Sequence, residues 1–258
     1  MAFGQSGPGI LYVNSRITKP EILSEETFFK WYDEDHIPEV METSAMKLAY
    51  RMIDADHPAG KAKRPYLSLY PMDDIAFLDS EEFKNISVTS NLLPITGPIF
   101  DLADFDVRCY KLIQIYDPTR KGPGKTKSVI SAQMELKPDF PEEELDRWYK
   151  EEHLAHMAEI PGFLRCTRYE LVSARANRET RDQHNIATAN GESVPLPTPK
   201  WLAIHEFETP GIDMEALLAR GKTDWTQRVT ENSSFIAAPV FTMARQHGKG
   251  DMFPGVEV

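Results

Sequence analysis

The sequence predicts an α+β fold built from two tandem copies of one small unit, each with the element order β-α-β-β-α-β. The main observation is an internal repeat: residues 28–51 align with residues 145–168 without a gap, at a separation of 117 positions. Solenoid repeats have periods of roughly 20–50 residues, so this spacing indicates two copies of a domain. A second observation is that the same order of predicted strands and helices surrounds each copy.

The repeated segment carries reactive side chains at matched positions. The best-matched stretches read WYDEDHIPEV in the first copy and WYKEEHLAHM in the second. A histidine that recurs at the same place in both copies is the first candidate for chemistry, because its ordinary pKa lies near working pH. The matched pairs are Trp31 with Trp148, Tyr32 with Tyr149, Glu34 with Glu151, His36 with His153, and Arg51 with Arg168.

The first unit begins with an apolar strand and a helix. Ser24 is suited to cap that helix, because its side chain can accept a backbone N–H, and Glu25 and Glu26 favour the positive end of the helix dipole. Alternating apolar residues predict the strands that follow. The predicted ranges are strand 10–17, helix 25–41, strands 47–53 and 65–72, a helical stretch near 75–87, and strand 107–116.

A basic segment rich in glycine and proline, residues 117–128, is predicted to be the linker between the units. Pro141 suits the first turn of the next helix, where its missing N–H is not needed. The polar segment 175–199 is predicted to be a disordered insertion or a lid. The remaining predicted ranges are strands 129–136 and 163–172, helix 142–158, strand 201–207, a helix at 214–231, and strand 240–246.

This element order is the ferredoxin-like arrangement, in which helices cover only one face of the sheet. The other face needs a cover, and two units in one chain can supply it by packing sheet to sheet. We therefore expect residues 1–116 and 129–258 to form two units related by a pseudo-two-fold axis. Such a pseudo-dimer is complete as a monomer, and further pairing into a homodimer stays open.

Bulk composition narrows the functional classes. The 258-residue chain is 41% hydrophobic and 27% charged, as in a globular protein with a packed core. Its net charge of −11 argues against nucleic acid or an anionic membrane as a partner, since both require a basic surface. Cys109 and Cys166 form neither a disulfide framework nor a metal motif. The start of the chain does not resemble a signal peptide, so a cytoplasmic location is expected.

The repeated strings, together with IPGFLRCTRY in the second unit, resemble the dimeric α/β-barrel superfamily, and within it the EthD-like proteins common in fungi. The hallmark of that family is a WYxxEH(I/L)P segment followed by a PGFxxxRY strand. The resemblance covers both units and implies a fused pair that forms an intramolecular dimeric α/β barrel. Members resembling this chain include cofactor-independent monooxygenases, isomerases, polyketide cyclases, decarboxylases and dehydratases.

The resemblance also implies that a histidine at the helix end, helped by a tyrosine, faces a cleft between helix and sheet. Carried over by position, these residues are His36 with Tyr32 in the first cleft and His153 with Tyr149 in the second. The substrate-binding candidates are the aromatic and arginine side chains of the same segments: Trp31, Tyr70 and Arg51 in the first cleft, and Trp148, Trp201 and Arg168 in the second.

The two clefts differ in sequence. The first keeps His-Ile-Pro at 36–38 but has Ser-Ala-Met at 44–46, where the second keeps Pro-Gly-Phe at 161–163. Aligning strands 65–72 and 201–207 places His205 opposite Tyr70, so that His205 and His153 would form an acid–base pair. Either cleft or both can be active, and these features, with the long polar segment, slightly favour the second.

Other chemistries have weaker support. His153 and His156, with Glu152 and His205, form a conceivable metal set, but HxxH alone is unspecific and the first unit lacks a matching second histidine. GPGK at 122–125 lacks the spacing of a phosphate-binding loop, and no GxSxG motif occurs. Some branches of the superfamily bind haem, yet no motif here requires it. We therefore expect neither a cofactor nor a metal.

The leading hypothesis is a cofactor-independent lyase or cyclase of secondary metabolism that acts on an aromatic or polyketide-like small molecule. A histidine would act as general base, and a tyrosine or second histidine would stabilise the developing oxyanion. Such proton transfer suits cyclisation, dehydration or decarboxylation of an activated substrate. The alternatives are a cofactor-independent monooxygenase of phenolic substrates and a non-catalytic small-molecule binding protein.

Overall fold

The computed structural model describes residues 4–60, 62–176 and 198–250. In this part of the chain, eight antiparallel strands close into a barrel and a short additional strand extends the sheet. The strands are β1 (Gly9–Ile17), β2 (Ala49–Asp54), β3 (Tyr66–Met72), β4 (Ala103–Tyr116), β5 (Ser128–Leu136), β6 (Phe163–Ala176), β7 (Trp201–Phe207), β8 (Ser233–Ala237) and β9 (Val240–His247).

Each half of the chain supplies four barrel strands, in the order β4-β1-β3-β2 from the first half and β9-β5-β7-β6 from the second. The halves join at both edges, because β4 pairs with β6 and β2 pairs with β9. The sequence predicted that the two sheets pack face to face. In the structure, the edge strands of each sheet also form hydrogen bonds with the edge strands of the other. The extra strand, β8, pairs with the end of β5.

Side-chain alternation along the strands separates the barrel interior from the outer layers. The interior cluster combines residues from both halves of the chain. Tyr50, Leu69 and Tyr110 of the first half and Tyr169 and Ile204 of the second are all completely buried there. Eight-stranded barrels are just wide enough for side chains to fill them. The interior is accordingly a packed core shared by the two halves.

Helices cover the outside of the barrel. The long helix of each half is interrupted at the same place by a π turn, at Tyr32–His36 and at Tyr149–His153. The Ser24 cap predicted from the sequence is present, since its Oγ accepts a hydrogen bond from the Thr27 N–H at 3.2 Å. The helices are α1 (Glu25–Trp31), α2 (Ile37–Glu42), α3 (Glu81–Lys84), α4 (Glu142–Trp148), α5 (Leu154–Ala158), α6 (Met214–Arg220) and α7 (Asp224–Glu231).

Several elements differ from the predicted ranges. The stretch predicted near 75–87 is a 3-10 turn at Ile75–Asp79 followed by the short α3. The single helix predicted at 214–231 is two helices, because Thr223 caps a new one by accepting the Thr226 N–H at 3.0 Å. Strand β6 continues past its predicted end to residue 176. Most of the segment 175–199, predicted to be an insertion or lid, lies outside the described residues.

None of the described helices has the length and apolar character that a membrane span requires.

Candidate active site

The π turn of the first half sets the direction of His36. In a π turn the backbone N–H bonds to the carbonyl five residues earlier, as the Ile37 N–H does with Tyr32. The wider turn brings residues five apart onto one side of the helix. His36 consequently stacks on Trp31, with ring centroids 4.7 Å apart and 19° between the planes, and meets Tyr32 edge-on at 5.7 Å.

His36 lies at the wall of a cavity between the helices and the sheet of the first half. The cavity has a volume of about 100 Å³. Its walls are mainly apolar. The sheet contributes Leu11, Val13, Phe105 and Val107, and the helix side contributes Trp31 and Val40.

The outer wall of the cavity is the connection between α3 and β4, residues 85–102. Ile86, Val88 and Phe100 of this connection face the cavity. The Ser87 N–H donates to Glu39 of α2 at 2.9 Å, which attaches the connection to the helix layer. Within the connection, the Ile99 N–H donates to the Val88 carbonyl at 2.8 Å. The amino-acid composition did not predict this wall, because its residues form a cavity surface only after the connection has folded over the cleft.

Two polar atoms at the cavity are buried without a hydrogen-bond partner among the described residues: Nδ1 of His36 and the hydroxyl of Tyr70. Leaving a buried donor or acceptor unsatisfied costs about 1–3 kcal/mol, so most such atoms are paired. Tyr32 also lines the cavity, and its hydroxyl adjoins Ser15 and Ser68.

Burial sets the protonation state of these groups. It lowers the pKa of His36 to about 4, against the opposing effects of the Asp35 carboxylate and the Ser87 backbone. Burial raises the pKa of Tyr32 to about 12, and it raises the pKa of Tyr70 well above its usual value. At neutral pH, His36 is therefore an unprotonated base, and both tyrosines are neutral hydrogen-bond donors.

One cavity residue comes from the second half and was not among the sequence candidates. Arg175 lies near the end of β6, directly opposite Val107 of β4 in the strand register. The sequence placed it at the start of a polar loop, because charged residues follow it. Among the described residues that line the cavity, it is the only one with a full positive charge at neutral pH.

The second cleft brings its predicted residues together. His153 stacks on Trp148 with centroids 4.2 Å apart, and it meets Tyr149 at 5.1 Å and His205 at 5.4 Å edge-on. Burial lowers the pKa of His153 well below its usual value, and the neighbouring His205 acts in the same direction. Burial also lowers the pKa of His205 to about 3. Both histidines are neutral at physiological pH.

Helix α7 covers the second cleft. Trp148 Nε1 donates to the hydroxyl of Thr226 at 3.2 Å, and Val229 and Trp225 pack into the same apolar cluster as Trp148. Glu152 accepts a hydrogen bond from Thr223 at 2.7 Å, which ties this cover to the π turn. The described cavity of the first cleft lies under a loop, whereas helix α7 covers the second cleft.

The two repeated arginines bind the helices to the sheet. Arg51 pairs with Asp33 and stacks over the ring of Phe29 at 4.5 Å. Arg168 lies 3.9 Å over the ring of Tyr149 and pairs with Asp146 at 3.0 Å. Neither arginine is among the residues that line the cavity of the first cleft. Both arginines therefore join a helix to the sheet of their own half.

The structure also defines the surroundings of Trp201 and of the four residues considered as a metal set. Trp201, proposed as a substrate contact, lies at the start of β7 under the ammonium of Lys200, 4.7 Å from the ring centre. The metal set considered for His153, His156, Glu152 and His205 does not assemble: within the described ranges, no three His, Cys, Asp or Glu side chains gather as metal ligands.

No protein-family model matches the chain. A sequence relative is the core atranone cluster (CAC) protein 1 of Stachybotrys chlorohalonatus. The two are 25% identical over 206 residues, which make up 78% of this chain and 82% of the relative.

Solved structures share the architecture over nearly the whole chain. An anthrone oxidase-like protein covers 100% of this chain and 99% of its own, with a TM-score of 0.56 at 12% identity. A candidate monooxygenase from Fusobacterium nucleatum covers 95% of both chains, with a TM-score of 0.53 at 12% identity. One from Lactobacillus acidophilus has a TM-score of 0.52 at 11% identity, covering 94% of this chain and 98% of its own. These likenesses show the fold, an α+β barrel closed by eight antiparallel strands.

Proposed function

We propose that this chain is an enzyme of secondary metabolism in which His36 acts as general base on an aromatic or polyketide-like molecule in the first cleft. The observation that carries the proposal is that His36 Nδ1 and the Tyr70 hydroxyl, both buried without a partner among the described residues, lie at one largely apolar cavity. Apolar pockets with a few convergent polar groups are typical small-molecule sites. A relative named for the core atranone cluster supports the metabolic context.

The chemistry follows from the protonation states. Neutral His36 removes a proton from an acidic C–H or O–H of the substrate, and the electron pair moves onto a conjugated carbonyl oxygen. The neutral hydroxyls of Tyr70 and Tyr32 donate hydrogen bonds to that oxygen as its charge develops. A positioned general base contributes about 10²–10⁴-fold to the rate. This is sufficient for a substrate that already carries an acidic proton.

The first candidate reaction is a lyase or cyclase step. The enolate expels a β-hydroxyl group, which leaves as water with the proton that His36 took up, or attacks a second carbonyl of the same molecule. Alternatively, a β-keto carboxylate loses carbon dioxide, and the enolate that remains takes a proton. Each of these outcomes begins with proton transfer or charge stabilisation at one oxygen. None of them requires an electron acceptor.

The second candidate is an oxygenase step, which the anthrone oxidase-like and monooxygenase-like neighbours favour. The carbanion formed at a methylene group passes its electrons to dioxygen, which adds at that carbon as a hydroperoxide. Loss of one water molecule from the hydroperoxide then leaves a carbonyl group. One dioxygen is consumed for each methylene converted, and one water is released.

We also assign the chain to the EthD-like type as a fusion of two ferredoxin-like units, residues 1–116 and 129–258, joined by residues 117–128. The strand orders β4-β1-β3-β2 and β9-β5-β7-β6 support this assignment, because each has the first strand of its half between the last and the third. The matching π turns and Trp–His stacks give further support.

The matched variants H36N and H153N test the proposed function. The purified protein is incubated with a hydroxyanthrone, followed by dioxygen uptake, and with an aromatic β-hydroxy ketone, followed by loss of water in the mass spectrum. We expect turnover of one probe to fall about 10²–10⁴-fold in H36N and to stay unchanged in H153N. Loss of activity only in H153N would place the chemistry in the second cleft. Unaltered recovery of both probes, with binding retained, would indicate a binding protein.

A further inference from the structure

We propose that Arg175 forms an anion subsite in the first cleft and selects substrates that carry an acidic group, such as a carboxylate or an ionised phenol, on an aromatic body. This inference rests on the proposed function in one respect, namely that the cavity binds a small molecule. It adds the chemical class of that molecule and a specificity residue contributed by the other half of the chain.

The position of Arg175 depends on the unequal length of two related strands. Strand β6 has 14 residues, whereas β2, its counterpart in the repeat, has 6. The extra length of β6 runs along β4 and ends over the first cleft, with Arg175 opposite Val107. By the repeat spacing of 117 positions, the residue that corresponds to Arg175 is Pro58, which lies beyond the end of β2 at Asp54. At this position of the repeat, a positively charged side chain is therefore present only at the first cleft.

The apolar surroundings of Arg175 strengthen its electrostatic attraction for an anion. Val107 and Phe100 line the same cavity, so water screens an ion pair there less than at the surface. Burial lowers the pKa of Arg175, and the neighbouring Cys109 and Asp79 oppose that change. A guanidinium nevertheless stays charged at neutral pH. Its planar fork matches a carboxylate or phenolate oxygen, so it can orient an acidic aromatic molecule as well as attract it.

His36 and Arg175 occupy different walls of the cavity. His36 belongs to the helix layer, and Arg175 to the sheet. A substrate whose acidic group is held at the sheet wall presents its opposite side to the helix wall and therefore to His36. The tyrosine hydroxyls of the site are neutral donors and carry no charge of their own. Arg175 is accordingly the residue that would favour an anionic substrate over a neutral one in this cavity.

Two aromatic probes of equal size, 2-naphthoate and 2-naphthamide, test the subsite, with binding measured by calorimetry. We expect the wild-type protein to bind 2-naphthoate at least about tenfold more tightly than the amide, because one charge-assisted hydrogen bond contributes enough free energy for that ratio. R175Q and R175M should lose this preference and retain the affinity for the amide. R220Q, which removes an exposed arginine of the second half, is the matched control and should behave as wild type.

The outcomes separate this inference from the proposed function. The anion subsite is wrong if the wild type binds both probes equally. It is also wrong if a folded R175Q or R175M variant keeps the preference for 2-naphthoate. Either result leaves the cavity as a site for aromatic molecules. Binding of neither probe overturns the small-molecule cavity, and the anion subsite with it. Two charge-removing variants are used so that a folding failure of one leaves the other to decide.

Discussion

Arg51 donates two hydrogen bonds to Asp33, from Nε at 2.8 Å and from Nη2 at 2.6 Å. Asp33 lies in the π turn that carries His36, and Arg51 lies in β2, so this pair fastens the turn to the sheet. Asp33 also accepts a hydrogen bond from His247 at 2.9 Å and lies 3.4 Å from Arg245, both in β9. The geometry of the first cleft thus depends on residues of both halves.

We expect D33N to destabilise the protein by about 3–5 kcal/mol, because it leaves Arg51 buried without its full counter-charge. The matched control is E34Q, which removes the exposed partner of Lys30 and should cost no more than about 0.5 kcal/mol. Urea unfolding of both variants gives the comparison. Equal losses in the two variants would show that the Asp33 pair has no special structural role.

Tyr70 should contribute to activity and not to stability. Its hydroxyl is buried without a partner among the described residues, so Y70F should leave the free energy of unfolding unchanged or raise it by about 1 kcal/mol, while turnover falls. Y110F is the contrasting variant, because the Tyr110 hydroxyl accepts a hydrogen bond from Arg108 at 3.3 Å. It should cost about 1–2 kcal/mol and leave turnover intact. Thermal unfolding and an activity assay of both variants check this; a stability loss in Y70F contradicts it.

The pH dependence of kcat/KM should report the low pKa of His36. The neutral, basic form exists above its pKa of about 4, compared with an ordinary value of 6.5. The rate should therefore stay level as pH falls through 6.5 and decline only as pH approaches 4. Assays by brief pH jump separate this effect from acid unfolding. A decline centred near 6.5 would mean that burial does not keep His36 neutral.

Protein stability should fall in acid because of the buried histidines. His205 has a pKa of about 3 in the folded state, against 6.5 as the ordinary value, so below pH 6.5 the unfolded chain binds a proton that the folded protein does not. The free energy of unfolding should fall by up to about 1.4 kcal/mol per pH unit for each such histidine. H205L should flatten this slope between pH 6 and 4, whereas H156Q serves as control. Equal slopes in wild type and H205L would refute this account.

Much of the barrel follows from local sequence patterns. Alternation over a few residues places β1, β3, β5 and β7 to within one or two positions, and the helix containing Trp31 and His36 is recognised by its cap and its repeat. The π turn was missed because the segment was treated as one continuous helix, although the buried residues step by five positions from Tyr32 to Ile37. The same limit applies to α6 and α7, whose separation depends on one capping threonine.

The sequence by itself predicted the α+β class and a Trp–His pair in each half of the chain, since repeats and periodicity can be read along a single strand or helix. Only the tertiary structure decided which cleft contains the described cavity. That outcome depends on the segment that covers each cleft, a loop over His36 and helix α7 over Trp148. It also depends on edge pairing, which places Arg175 opposite Val107 although 68 positions separate them in the chain. Contacts between such distant residues follow from strand register and packing, which no local pattern specifies.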